Sequence, residues 1–412
     1  MLLSAAAAIV LREPRFVLRP RFWAEEGSWY FANAFASAHG PEWYRGLTFT
    51  PHGYLALWPN LATTAAANLV PLESAPLVTT LLAFAVQLVP VCIVLWGQSR
   101  LWSSIPRKLV AVTIILLAPL SAEPWLNTIN SQFYFALATF LLLVEDRDAT
   151  RRRSWLRWML LLVAGLTGPA SCVLTPLFVF KAVKEKSPER SVQAAILATA
   201  AVTQVVLLLT SAESTLASRT ATLPRFDVIW ILWDQSVALT LFGLEAAKRS
   251  FDLLRQIEGQ PLYVVVWIVI FVVEVLLFWC LSRNLEPDVR VSCVGAYALL
   301  VVFSLAGTLE ERSQLVMPGW AHRYFLVPNT ILLFMILANL EWRQRARSSL
   351  VLTVALAYAL LMGAHAYRTV VLADPSWPDW RTEVQAWRGN PEYQPRIWPA
   401  PHWVVRLRPA QP

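Results

Sequence analysis

Charge is the first thing in short supply. Only 15% of the 412 residues are Asp, Glu, Lys or Arg, and 57% are hydrophobic, against about 25% and 45–50% in a soluble domain. That balance excludes an ordinary water-exposed fold and points to lipid as the solvent. Cysteine is sparse as well. Cys92, Cys172, Cys280 and Cys293 all lie in apolar runs, and no CxxC spacing occurs. Neither a metal site nor a disulfide framework is indicated, so the four are read as packing residues. The opening "MLLSAAAAIVL" offers about eleven apolar residues, short of the roughly twenty that cross a bilayer. It also lacks the basic start and cleavage site of a signal peptide. Either a first helix is truncated, the favoured expectation, or a short helix is sheltered by its neighbours.

What is abundant is long apolar runs. "LYVVVWIVIFVVEVLLFWCL" (Leu262–Leu281) is one of several. The fold class expected is an all-α polytopic membrane protein of about 9–11 transmembrane helices. After the N-terminal piece, candidate spans fall near 74–97, 109–121, 129–144, 158–181, 192–210, 262–281, 291–308, 323–340 and 349–367. Gly168-Pro169 and Pro176 interrupt the fourth, which reads as two half-helices entering and leaving on one side. The membrane domain covers 1–372, and a Pro-rich tail with five Trp covers 373–412.

Basic residues in short loops set the orientation. Loops 100–108, 145–157, 181–190, 282–290 and 341–347 hold seventeen of the 35 Lys and Arg. Placing all five in the cytoplasm sends 12–73, 211–260 and the tail outward. The net charge of +8 then reflects these loops and anionic lipid, and nucleic acid is not expected as a partner.

"PRFWAEEGSWYFANAF" (Pro20–Phe35) sets two carboxylates, Glu25 and Glu26, among aromatic residues of the first outer segment. Ser28 is a candidate N-cap for a short helix stopped by Gly40 and Pro41. Just ahead of such a helix its dipole favours ionised carboxylates. The pair is either no more than that favourable charge or a general base beside aromatic walls suited to a sugar ring or lipid chain.

"RFWAEEG" followed by "PHGYLALWPNLA" resembles the first outer loop of bacterial GT-C-type membrane glycosyltransferases, more closely an incompletely characterised group of their polytopic relatives. "EPWLNTINSQFYFAL" (123–137), "GWAHRYFLVP" (319–328) and the Trp-rich tail extend the likeness over most of the chain. The resemblance implies a polyprenyl-phosphate-linked sugar donor, a glycan, lipid or protein acceptor, and a site on the outer face of the bacterial plasma membrane. It leaves room for a divalent metal and implies no other cofactor. The family's catalytic acid lies in this first outer loop, and the matching residues are Glu25 and Glu26. Relatives carry Asp at the second position, so which glutamate is the base stays open.

An inverting transfer needs a base on one side of the sugar and cations for the departing phosphate, a task that suits arginine. Arg323, with His322, is the first choice for the phosphate and Arg312 the second; each is otherwise a snorkelling interfacial side chain. Arg21, beside the acidic pair, is a phosphate ligand or that pair's salt-bridge partner. Asn127, Asn130 and Gln132 are placed to hold sugar hydroxyls, Asn127 also to cap a helix. His52 and Tyr54 line the same cleft or are incidental. Glu274 sits inside an apolar run, where an acidic residue costs ~2.5–3.5 kcal/mol on insertion scales. It should face the bundle interior, with Gln204 a candidate partner.

Two rival functions stand beside the transferase: a transporter or flippase for lipid-linked saccharides, and a non-catalytic assembly partner in surface-polysaccharide synthesis. A transporter should show a polar path to the cytoplasmic side and inverted repeats. The sequence shows neither.

Overall fold

The computed structural model describes residues 1–118, 123–146, 154–211, 227–307, 315–340, 347–369, 376–399 and 401–408. Among these the chain is all-α, with two isolated β-bridges, Trp23 with Trp398 and Arg396 with Val404. Five helices are long and apolar enough to cross a membrane: Leu72–Trp96, Pro188–Thr210, Pro261–Arg283, Pro287–Ala306 and Leu350–Thr369. The chain is thus a multi-pass membrane protein. Five of the expected spans fall on these helices.

The others take a different form. Ser154–Leu166 and Pro169–Glu185 turn through 117° at the Gly168-Pro169 break, where this dipeptide interrupts the apolar run. Gly168 has φ +144, and a Cβ there would come within 2.5 Å of Gln132 Oε1, so only glycine makes the turn without strain. Ser131–Leu143 and Leu326–Ala338 have 13 residues each, about 20 Å of helix. Almost every side chain on them is buried. Their apolar surface goes all round because they form the bundle's centre and meet protein on every side. Pro261–Arg283 is the opposite case, fully burying only Glu274 and Leu281 and leaving many of its apolar side chains exposed.

Among the described residues of these loops, basic side chains cap helix ends on one side of the bundle. Lys181 Nζ donates to Leu143 O at 2.6 Å, and Arg190 donates to Leu142 O at 3.0 Å and Glu145 O at 2.6 Å. Arg107 donates to Leu340 O at 2.9 Å, and Lys184 and Arg100 pair with Asp288 and Glu286. Cations on the open carbonyls of helix C-termini are favoured by the dipole, so these loop charges close the helices.

Glu274 does face inward, but Gln204 is not its partner. That amide accepts from Leu55 N (2.9 Å) and donates to Leu55 O (3.0 Å) and Gly165 O (2.9 Å). A second carboxylate close enough to act on Glu274 is Asp234, fully buried in the π-helix Trp233–Ala238. The 211–260 stretch, read as an outer loop, thus contains a buried helical insertion. Ser250 Oγ donates to Asp234 Oδ1 at 2.6 Å, and Tyr297 OH donates to Ser236 Oγ at 2.8 Å.

At the end away from the basic loops, 13–56 and the tail pack together. Arg396 makes a forked pair with Glu383 Oε1 at 2.8 and 3.0 Å, and Arg388 reaches Glu73 at 2.7 Å. Trp398 N donates to Phe22 O at 3.0 Å, and Ala24 N donates back to Trp398 O.

Candidate active site

The chain from Phe22 to Phe31 builds one wall. Ala24 sits at φ 41, a left-handed conformation that costs a residue with a Cβ roughly 1–2 kcal/mol. It throws the next two side chains in different directions. Glu25 lines a cavity of about 450 Å³. Glu26 is 1% exposed and turns into the protein. Its carboxylate accepts from Thr128 N at 2.7 Å, from the Thr128 hydroxyl, and from Trp23 N at 3.2 Å. Burial pushes its pKa up, and the hydrogen bonds from Thr128, Trp23 and Thr79 oppose that rise. The two neighbours therefore have separate work: Glu25 meets the cavity, and Glu26 ties the first outer segment to the 123–130 loop. Ser28 is not an N-cap. The π-helix Glu26–Phe31 begins before it, and its Oγ donates back to Ala24 O at 3.1 Å. A π-turn is a rare local form often found at functional sites; here it carries Trp29 onto the cavity wall.

Aromatic faces supply much of the lining. Trp29 and His52 have ring centroids 4.9 Å apart, and His52 and Tyr54 stack at 5.7 Å. Trp23, Trp320, Tyr324 and Trp403 complete the enclosure.

The polar groups converge from two further loops. Arg323 forms an ion pair with Glu123, and both line the cavity. His322 is swung in by Ala321 at φ 50 and Gly319 at φ 86. Its Nδ1 lies 2.6 Å from Gly319 O, so this nitrogen carries the proton and Nε2 presents a lone pair. Burial pushes its pKa down to about 4, and the ring is neutral at physiological pH. Gln132 Oε1 is buried without a hydrogen-bond partner among the described residues, and Gln132 lines the cavity. Leu126, at φ 50, makes a third non-glycine residue in left-handed conformation on a loop bordering the cavity. Such strain persists only where surrounding structure enforces it, and it collects at functional sites.

Of the residues selected from sequence, Glu25, His52, Tyr54, Asn130, Gln132, His322 and Arg323 all reach this cavity. Asn127 does not. Its Nδ2 donates to Glu123 O at 2.7 Å and its Oδ1 accepts from Asn130 N at 3.2 Å, so it shapes the loop; it is not the expected helix cap, because Asn130 holds the N-cap position of Ser131–Leu143 and no side chain caps that helix. Arg21 is also elsewhere. It lies 3.8 Å from Glu383 and donates to Arg396 O, joining the tail rather than the acidic pair. Arg312 lies outside the described residues. The sequence reading passed over Glu123, Trp29 and Trp403. Glu123 carried a signal, being the acid that opens the "EPWLNTINSQF" loop.

Compared with known proteins, the chain matches no family model, no curated protein and no solved structure. Function has to be read from the cavity itself. Among the described residues no three His, Cys, Asp or Glu side chains come together as a metal-ion ligand set.

Proposed function

We propose that this protein is a membrane glycosyltransferase of the GT-C type. It moves a sugar from a polyprenyl-phosphate donor to an envelope glycan, lipid or protein acceptor on the outer face of a bacterial plasma membrane. The observation that carries the reading is the composition of one cavity: a carboxylate, Glu25, among aromatic faces, with an arginine, Arg323, and amides on the same walls.

Each group has a task. The sugar ring lies against indole or phenol faces, and Gln132 and His322 Nε2 take its hydroxyls. Glu25 removes the proton of the acceptor hydroxyl as that oxygen forms a bond to the anomeric carbon. The bond from the anomeric carbon to the phosphate oxygen breaks, and the electron pair leaves with the prenyl phosphate. Arg323 holds that phosphate through charge-assisted hydrogen bonds, and Glu123 keeps the guanidinium in place beforehand. A positioned base contributes typically 10²–10⁴-fold.

The test is Glu25→Gln in a strain whose envelope glycans are profiled by mass spectrometry. Loss of one defined sugar residue, with the protein still inserted at normal abundance, is the expected result. An unchanged profile points to the transporter or assembly roles.

A further inference from the structure

A second groove of about 450 Å³ adjoins the cavity, with Trp29 in the wall of both. We propose that this groove, walled by Trp29, Gln394, Arg406 and Arg408, is the acceptor subsite and takes a saccharide carrying a negatively charged group. The inference rests on the transferase reading and names the acceptor's chemistry.

The tail closes this groove as extended chain, anchored by the Arg396–Val404 bridge. Side chains alternate along such a segment. Val405 and Leu407 are buried, while Val404, Arg406 and Arg408 turn to the groove. Most of the tail's other arginines are engaged: Arg388 holds Glu73 and Arg396 holds Glu383. Arg406 and Arg408 make no ion pair or side-chain hydrogen bond among the described residues, and no carboxylate there lines the groove. Two unneutralised guanidinium groups two residues apart suit a phosphate or carboxylate, which arginine binds in forked geometry.

Position supplies the rest of the case. The opposite wall is one face of the 28–36 segment, Ser28, Ala32 and Ala36, and small side chains leave room for a chain of sugars. Glu25 lies one turn before Trp29, and both face the catalytic cavity. An acceptor lying in the groove and passing Trp29 delivers its hydroxyl to the glutamate that deprotonates it.

The test compares trehalose 6-phosphate with trehalose as probes, bound to the full-length protein in phosphatidylcholine nanodiscs. Wild type should bind the phosphorylated sugar about tenfold more tightly, the scale of one hydrogen bond to a charged group. R406E/R408E should abolish the preference, and R406K/R408K should retain most of it. Equal binding of the two sugars by wild type, or a preference that survives charge reversal, overturns the proposal. Repeating the measurement with phosphatidylglycerol in the nanodisc separates sources of the anion: a preference that persists supports the saccharide, and one that vanishes assigns the arginines to lipid and overturns the acceptor role. The transferase reading fails separately. Absence of transfer from a prenyl-phosphate donor by wild type refutes it and leaves the binding result intact.

Discussion

Glu25 and Glu26 differ by one position, yet one faces an open cavity and the other is 1% exposed beneath it. Replacing each with glutamine therefore gives different phenotypes. Glu26→Gln costs about 1–3 kcal/mol of stability, the usual price of leaving a buried hydrogen-bonding group unmatched. A lower melting temperature in detergent measures that loss. Glu25→Gln leaves melting unchanged and removes transfer. Arg323→Ala weakens the donor side instead, raising KM for the prenyl-phosphate sugar about tenfold or more through loss of a charge-assisted contact. Measuring KM and kcat separately distinguishes it from a base mutant. Much of this site was legible because polar residues stand out in an apolar chain. Glu25, His52, Gln132, His322 and Arg323 sit in, or at the edge of, the polar stretches that interrupt the apolar runs. Which of two adjacent glutamates reaches the cavity was not legible, since that depends on the left-handed turn at Ala24 and on Thr128, about a hundred residues away.

The tail behaves as an element of the site, supplying Pro399 and Trp403 to the cavity. Its docking turns on Glu383. Burial drives that carboxyl's pKa up, but hydrogen bonds from Tyr393 and Arg396 and the charge of Arg21 outweigh it, leaving the pKa below its ordinary value. A depressed carboxylate contributes stability above its unfolded pKa, near 4.5, and loses it as pH falls through the lower folded value. Protection factors for amide exchange in 380–389, normalised to the intrinsic rate at each pH, should be high at pH 7 and fall as the pH drops below about 4.5; Glu383→Gln should show low protection at both. The broken helix gives a second check. Gly168→Ala puts a Cβ into Gln132 at an unfavourable φ, a strain on the order of 1–3 kcal/mol, and should lower melting and activity together. The break was readable from Gly168-Pro169. The tail's residue-level partners were not, because Trp398 and Trp23 pair only through tertiary packing, and the buried insertion at Asp234 was hidden by the polar stretches around it.

Among the described residues, basic side chains close helix ends on one side of the bundle, away from the cavity lined by Glu25 and Arg323. Charge bias in short loops predicts the sidedness: impermeant reagents added to intact cells should modify cysteines placed in 41–45 and none placed in 184–187. Helix number was only partly legible. Hydropathy marks Ser131–Leu143 and Leu326–Ala338 as apolar, and it does not distinguish a span bathed in lipid from a shorter helix enclosed by others. The most direct measurement is release of free polyprenyl phosphate by membrane vesicles, followed by mass spectrometry of organic extracts for wild type and Glu25→Gln. Wild-type vesicles should convert the sugar-linked pool to polyprenyl phosphate at least ~10²-fold faster than the variant. Equal release from both, with equal amounts of inserted protein, would contradict a catalytic glutamate in this cavity.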